Sequence, residues 1–262
     1  MSTQKTLPLM TGLLFTTVTS FANADDTAAD QNTFTMGIAG QYAPRYSGSN
    51  HQFFQVLPVI QGRKGAFFID SEKGLGYDLQ ADNGLYLEHT LGYSLGRSER
   101  NSDWREGANE LKGMGNIKAA MNTALAVGWS MTPWASVEGK AILPLTDSQG
   151  VQYQASFTII PLQNDIDTIA LQNTAMFGDH RYTLINYGVS KKQSDNTAYQ
   201  TFTPGGGLYG VSTNLLWNHQ FDQHWGTTLN AGYTWLNDDI TKSPIVFRRN
   251  SFSFTGAITY TF

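Results

Sequence analysis

The C-terminal segment of the chain alternates between large apolar and small polar residues up to its final residue. Aromatic or aliphatic side chains occupy one set of alternate positions, broken only by Gly256, while serine, threonine and alanine occupy the other set from Ser251 to Thr261. Because successive side chains of a β-strand point to opposite faces, this alternation predicts a strand with one apolar and one polar face. An apolar outer face and a polar inner face are typical of a transmembrane β-barrel.

The aromatic end of this strand also resembles the C-terminal signal by which bacterial outer-membrane barrels are recognised for assembly. The residues that carry this resemblance share the apolar face of the strand. They are Phe254, Ile258, Tyr260 and Phe262. We therefore expect these residues to direct assembly of the barrel into the bacterial outer membrane.

The N-terminal segment has the pattern of a secretory signal peptide. Lys5 precedes an apolar stretch from Leu7 to Val18, and Ala22-Asn23-Ala24 places small residues at the positions that a signal peptidase reads. The apolar stretch is shorter than the roughly 20 residues that a membrane-spanning helix needs. We expect cleavage after the last of these alanines, so that residues 1–24 are a signal peptide and residues 25–262 form a single exported barrel domain.

The composition excludes several classes of protein. The chain has no cysteine, which excludes disulfide frameworks, thiolate zinc sites and cysteine nucleophiles. No apolar run beyond the N-terminal segment is long enough for a spanning helix, so a helical membrane protein is excluded as well. The net charge of −4 is mild and no dense basic run interleaves with aromatic residues, so nucleic acid is not an expected partner.

Alternating segments recur along the whole chain at the spacing of membrane-barrel strands. We predict strands at 33–42, 53–61, 65–71, 74–81, 84–94, 117–129, 133–143, 151–162, 165–176, 207–218, 224–237 and 251–262. Tight turns separate some of them, and long loops cover 43–52, 95–116, 177–206 and 238–250. Outer-membrane barrels have an even number of strands, short periplasmic turns and long external loops. The sequence thus predicts an all-β, antiparallel transmembrane barrel of about 12 strands with both termini in the periplasm, provided that the chain reverses near Ser71 to Lys73.

Tryptophan positions and inward residues favour this barrel over a soluble β-sandwich. Tryptophans fall beside the predicted periplasmic turns, as in an aromatic girdle, at Trp129, Trp134, Trp217 and Trp225. Predicted inward positions are polar and include Lys118, Asn122, Glu138, Lys140, Ser212, Asn214, Thr228, Asn230 and Thr234. Inward Glu88, Lys118, Glu138 and Lys140 carry charges that can pair and plug the lumen, and the sequence leaves both a plugged and an open lumen possible.

Short segments in a fixed order resemble the MipA/OmpV family of outer-membrane proteins, named for the MltA-interacting protein. They are Tyr46-Ser47-Gly48-Ser49, Phe67–Asp70 followed by Gly74–Tyr77, Asn83–Leu85, Leu91–Tyr93 with Gly96-Arg97, Leu111–Ile117, Tyr187–Ser190 and Ser243–Val246. The resemblance covers almost the whole mature chain. It implies an outer-membrane protein that, in the best-known member, scaffolds a murein lytic transglycosylase and a bifunctional penicillin-binding protein. Other members resemble surface antigens or adhesins.

Motifs that would support an enzyme are weak. None of the 5 histidines is followed two residues later by serine, the pair that outer-membrane phospholipases use. Asp222-Gln223-His224 has the spacing of an omptin-like protease pair, but it lies at a predicted periplasmic turn. Gly205–Gly210 matches a dinucleotide-binding pattern, yet it precedes a strand instead of following one. Histidines and carboxylates show no metal-site spacing, so we predict no catalysis, no cofactor and no metal.

Three functions remain open: a scaffold for periplasmic murein enzymes, which the resemblance favours, a passive small-solute channel, and a surface adhesin or antigen. Partner contacts are expected on several periplasmic turns together, at Arg63, Lys64, Asp82, Asn83, Asn164, Asp165, Asp222 and His224. Outer-membrane lipid surrounds such a barrel. Contacts with lipopolysaccharide phosphates are expected from arginines of the external loops, because arginine binds phosphate bidentately: Arg97, Arg100, Arg105, Arg248 and Arg249.

Loop length predicts which side of the membrane each connection faces. An epitope tag inserted at Asn101 or Asn196, in long loops, should be accessible to antibody on intact cells, and a tag at Asn164, in a tight turn, should not. Permeabilised cells provide the control that all the tagged proteins are present. Surface labelling at Asn164 would invert the topology.

Overall fold

The structure is a computed structural model that describes residues 32–262, in which 12 strands close into one antiparallel barrel. The barrel strands are β1 (Asn32–Pro44), β2 (Gln52–Lys64), β3 (Phe67–Asp70), β4 (Gly74–Gln80), β5 (Leu85–Ser94), β8 (Ala120–Thr132), β9 (Ala135–Pro144), β10 (Gln152–Gln163), β11 (Asp167–Gly178), β12 (Gly207–Gln220), β13 (Trp225–Leu236) and β14 (Asn250–Thr261). A short parallel pair, β6 (Arg97–Ser98) and β7 (Glu106–Gly107), lies in the loop between β5 and β8. Neighbouring barrel strands follow the order of the chain, and β1 closes the ring against β14.

Each predicted strand coincides with an observed one, which confirms the predicted fold. The predicted reversal near Ser71 to Lys73 is confirmed by the pairing of β3 with β4, from Phe67 opposite Tyr77 to Asp70 opposite Gly74. The predicted signal peptide, residues 1–24, lies outside the described residues.

Short helices occur only in the external loops of the described chain. They are a 3₁₀ turn at Asn109–Leu111, α1 (His180–Tyr187), α2 (Lys191–Asn196) and α3 (Asp238–Thr241). Among residues 32–262 none of these helices has the length and apolar character needed to cross a membrane. The periodicity of the sequence did not predict them, because each spans only one or two turns and is ended by its loop contacts.

Side chains alternate between the lipid face and the lumen, as the period-two pattern predicts. On β14, Phe254 and Ile258 are exposed, whereas Thr255, Thr259 and Thr261 are buried on the inner face. The girdle tryptophans Trp129, Trp134, Trp217 and Trp225 are exposed at the end that carries the short turns. At this end Phe262 packs on Tyr260 and Phe34, with ring centroids 4.9 and 5.8 Å apart.

Charged residues on one wall of the lumen form ion pairs. Arg63 binds both carboxylate oxygens of Asp78, at 2.9 and 2.6 Å, and Lys73 binds Glu88 at 2.7 Å. Both carboxylates are buried. The Phe68 ring lies between the two cations, 5.4 Å from the Arg63 guanidinium and 5.7 Å from the Lys73 amine. Because an unpaired buried charge is costly, these pairs fix the inner surface of β2 to β5.

The predicted pairing partners inside the lumen are therefore partly wrong. Glu88 pairs with Lys73, a residue of the reversal between β3 and β4, and not with Lys118 or Lys140. Lys118 is exposed and precedes β8, which begins at Ala120 instead of residue 117. The reason is local, since the backbone of Ile117 pairs with Arg97 in the loop and not with a barrel strand.

A tyrosine crosses the inner face of β8 to reach β9. The Tyr86 hydroxyl donates to Glu138 at 2.8 Å, and the ring passes over Gly128 on the strand between them. A Cβ atom at Gly128 would lie 2.1 Å from the Tyr86 ring, so only glycine fits there. The outward Gly139 on β9 has no atom within 4 Å of the equivalent position.

These two glycines give a matched test of the inner packing. Gly128→Ala should displace the Tyr86 ring and break its hydrogen bond to Glu138, lowering the free energy of unfolding by about 1–3 kcal/mol. Gly139→Ala should leave it unchanged. The temperature at which the folded band disappears on unboiled gels measures the effect. Equal temperatures for the two variants would contradict this packing.

Candidate functional sites at the two ends of the barrel

The external loops pack together over one mouth of the barrel. We call this structure the cap; it comprises residues 45–51, 95–119, 179–206 and 237–249. Its apolar core consists of residues that are at most 5% exposed, drawn from all of these loops: Tyr46, Ala108, Leu111, Met114, Val189 and Ile245. Burial of such side chains stabilises the loops much as it stabilises a small soluble domain.

Hydrogen bonds between loops hold the cap in one arrangement. The Tyr46 hydroxyl donates to the carbonyl of Ile245 at 2.9 Å, which joins the first loop to the last. The Tyr199 hydroxyl donates to the carbonyl of Glu110 at 2.6 Å. Ser47 and Tyr187 share a hydrogen bond of 2.8 Å between their hydroxyls. Each bond joins different loops, so the cap is a folded unit and not a set of independent loops.

Arg97 lies inside the cap and is only 6% exposed. Its Nη1 donates to the carbonyl of Asn186 at 2.7 Å, and its guanidinium stacks over the Tyr46 ring at 5.6 Å. Burial lowers the pKa of Arg97, and the Glu106 carboxylate opposes that shift. The prediction of Arg97 as a lipopolysaccharide contact is wrong, because the loops cover the guanidinium that a phosphate would have to reach.

Glu106 lies on the short strand β7 of the cap, opposite Arg97 on β6. The surrounding protein raises the pKa of the Glu106 carboxyl, and Arg97 acts in the opposite direction. The residue itself remains exposed.

The segments that resemble the family converge in the cap. Tyr46, Leu111, Met114, Val189 and Ile245 each come from one of the short segments quoted above, and they touch in the common core. Sequence order alone did not predict this meeting, because it depends on how the barrel brings distant loops together.

The other predicted external arginines remain closer to the surface. Arg100 and Arg248 are exposed. Arg105 donates to the carbonyl of Leu95 at 3.3 Å. Arg249 pairs with Asp238 and donates to the Thr241 hydroxyl at 3.1 Å.

The short turns form the opposite end, which we call the periplasmic rim: residues 65–66, 81–84, 133–134, 164–166 and 221–224. Lys64, Asp82, Asn83 and Asp165 are exposed there. Arg63 is not on the rim, because β2 extends to Lys64 and turns the Arg63 side chain inward to Asp78.

Several polar residues of the rim shape the turns themselves. The Asn164 side chain accepts from the backbone N–H groups of Ile166 and Asp167 at 2.9 and 2.8 Å. Asp222 accepts from those of His224 and Trp225, both at 2.8 Å, and these bonds lower the pKa of Asp222. The protease-like spacing of Asp222 and His224 therefore serves a turn, as the sequence position indicated.

His224 ties this turn to the C-terminal strand. Its Nδ1 lies 2.8 Å from the carbonyl oxygen of Thr261, and its ring stacks on Tyr260 with centroids 5.2 Å apart. This contact joins the turn to the aromatic C-terminal residues that we expect to direct assembly of the barrel.

Strand pairing also creates a histidine–carboxylate pair that sequence spacing could not show. His219 Nδ1 lies 2.8 Å from Asp167 Oδ1, and the Trp217 indole donates to the same oxygen at 2.8 Å. The neighbouring hydroxyl, Thr227, donates instead to the carbonyl of Ala257 at 2.8 Å. In the described chain no hydroxyl is hydrogen-bonded to His219, so this pair lacks a nucleophile. No group of three metal-ligating side chains was found among residues 32–262.

The closed ring, the exposed aromatic girdle and the polar lumen define a bacterial outer-membrane β-barrel. The chain belongs to the family of the MltA-interacting protein MipA, whose model matches residues 36–262. It is 20% identical over 195 residues to the putative outer membrane protein YiaT of Escherichia coli O157:H7, covering 70% of this chain and 79% of that protein.

Solved outer-membrane barrels overlap with the chain at very low sequence identity. An outer membrane channel from Pseudomonas putida F1 matches with a TM-score of 0.43 and 10% identity, covering 92% of this chain and 100% of that one. The translocator domain of the autotransporter NalP from Neisseria meningitidis matches with a TM-score of 0.43 and 8% identity, covering 88% of both chains.

The burial of Arg97 predicts its effect on the cap. Arg97→Gln removes the bond to the Asn186 carbonyl and the stacking on Tyr46, which should destabilise the cap by about 1–3 kcal/mol. Limited proteolysis of the folded barrel in detergent should then cut the external loops faster. Arg100→Gln, an exposed arginine of the same loop, is the control. Identical cleavage rates for the two variants would show that Arg97 does not hold the loops.

Proposed function

We propose that this barrel is a non-enzymatic scaffold whose periplasmic rim binds murein-processing enzymes. The observation that carries the proposal is the contrast between the two ends. The external mouth is covered by a cap with its own apolar core, whereas the periplasmic end presents short, exposed turns. The name of the family, MltA-interacting protein, supports a lytic transglycosylase as a partner. A bifunctional penicillin-binding protein is the second partner that we propose.

The size of a stable interface requires the partner to contact several turns at once. Such an interface buries about 800 Å² on each side, which is more than one tight turn offers. Exposed apolar side chains occur on three successive turns, at Trp134, Ile166 and Phe221. Charged residues lie on or beside other parts of the rim: Lys64 precedes the turn at 65–66, Asp82 lies on the turn at 81–84, and Asp165 precedes Ile166. Together these residues offer a partner both apolar and charged side chains on the rim.

The turns are also held in shape before any partner binds. The side chains of Asn164 and Asp222 each accept two backbone hydrogen bonds within their turns. A preorganised surface loses less conformational entropy on binding than a flexible one. The smaller loss of entropy compensates in part for the small contact area that each turn offers.

The absence of catalysis is part of the same proposal. A barrel hydrolase needs a nucleophile, or a water molecule, activated by a base at a membrane rim. The Asp167–His219 pair supplies a base, but the nearby Thr227 hydroxyl is bonded to a backbone carbonyl. The described residues therefore favour binding over chemistry.

A passive channel is the second candidate, and the lining of the lumen favours it. Many inward side chains are small or hydroxylated, including Ala39, Ala124, Ala126, Ser156, Thr174, Thr228, Thr255 and Ala257. Short side chains occupy little of the lumen, although these residues are themselves covered by neighbouring side chains. The cap opposes this function, because its loops cover the external mouth.

Charge reversal on the rim tests the scaffold. The triple variant Lys64→Glu, Asp82→Lys, Asp165→Lys should capture an MltA-type lytic transglycosylase roughly tenfold more weakly than the wild type, since several charged contacts of up to about 1 kcal/mol each are lost. Binding of the purified enzyme to the barrel in detergent is the measurement. The variant Lys191→Glu, Lys192→Glu, on helix α2 of the cap, is the control at the opposite end.

Unchanged capture by the rim variant, or equal losses in rim and cap variants, would contradict the scaffold. Single-channel recording of the wild type separates the two functions. A steady conductance together with unchanged capture would make the channel the primary function.

A further inference from the structure

The lipid face of the barrel carries an aromatic surface near the external end of four neighbouring strands. We call it the aromatic panel: Trp235 and Tyr233 on β13, Phe252 and Phe254 on β14, Tyr42 on β1 and Phe54 on β2. Phe254 lies opposite Tyr42, and Tyr42 lies opposite Phe54, so these rings form one row across three strands. The rings of Tyr233 and Phe252 lie 5.1 Å apart.

A pair of arginines lies directly above this panel. Arg248 and Arg249 immediately precede β14, whose outward side chains Phe252 and Phe254 belong to the panel. The Arg249 guanidinium stacks over Trp235 at 5.8 Å and is 42% exposed. Arg248 is exposed, and its backbone N–H donates to the carbonyl of Gly48 at 3.0 Å. These contacts place both arginines at the boundary between the lipid face and the cap.

The charges of this loop leave positive charge at the boundary. Lys242 pairs with Asp239 at 2.7 Å, and Arg249 pairs with Asp238. Both aspartates of the loop are thus paired with a lysine or an arginine. No ion pair of the described residues includes Arg248, so this arginine leaves a net positive charge on the loop. The Asp238 contact uses one nitrogen of Arg249, and a guanidinium has further N–H donors for a second anion.

We propose that the aromatic panel and the arginine pair form a binding site for lipopolysaccharide of the outer leaflet. The acyl chains lie on the panel, where aromatic side chains favour the membrane interface. The phosphates of the glycolipid accept hydrogen bonds from Arg248 and Arg249, since guanidinium groups bind phosphate with two parallel bonds. This site retains two of the five arginines predicted from the sequence and excludes the buried Arg97.

Binding of lipopolysaccharide to the purified barrel tests the site. The double variant Arg248→Gln, Arg249→Gln should bind lipopolysaccharide about five- to tenfold more weakly than the wild type, in displacement of a fluorescent lipopolysaccharide at low salt. The variant Lys191→Gln, Lys192→Gln removes the same charge from helix α2, in another loop of the cap, and should bind like the wild type. Folding of each variant is checked by its shift on unboiled gels.

Dephosphorylated lipopolysaccharide distinguishes the phosphate contact from general lipid association. The wild type and the arginine variant should bind the dephosphorylated form equally, and high salt should reduce their difference for the phosphorylated form. Equal binding of phosphorylated lipopolysaccharide by the folded arginine variant and the wild type would overturn the proposal. An equal loss in the lysine control would also overturn it, because the effect would then be general charge and not this site.

Discussion

The lipid core of a membrane offers no water to backbone N–H and C=O groups, so every strand of this protein must find a partner on both sides. Pairing of β1 with β14, from Thr35 opposite Thr261 to Tyr42 opposite Phe254, provides that partner for the two terminal strands. Because the ring is closed, each strand has one face toward lipid and one toward the lumen. The aromatic girdle, the ion pairs inside the lumen and the alternation of the sequence all depend on this closure.

The two ends of the ring are ordered by different interactions. Long external loops would lose much conformational entropy if each were ordered alone, and the cap offsets this loss by burying apolar side chains from several loops in one core. The periplasmic turns are too short to form a core, and side-chain caps such as Asn164 and Asp222 order them instead. This contrast makes the rim the end that presents short, exposed turns already held in shape.

The strands were predictable from the sequence because apolar and polar side chains alternate along each strand whatever its alignment with the neighbouring strands. Even the short β3–β4 hairpin was predicted. The functional regions were less predictable. Arg97 has the sequence context of a surface loop, and only the meeting of four loops buries it. Arg63 was expected on a turn, but β2 extends past it and directs it to Asp78. Asp167 and His219 meet through strand register, which residue spacing does not encode.

Hydrogen–deuterium exchange of the barrel in detergent tests most directly whether the external loops form a folded cap on a closed ring. The backbone bonds between Val189 and Phe202, 2.8 and 2.9 Å long, lie within the cap. The account predicts that amides at these positions and around Leu111 exchange slowly, on a timescale approaching that of β14 and not that of exposed loops. Rapid exchange throughout residues 95–119 and 179–206, with protection confined to the strands, would contradict it.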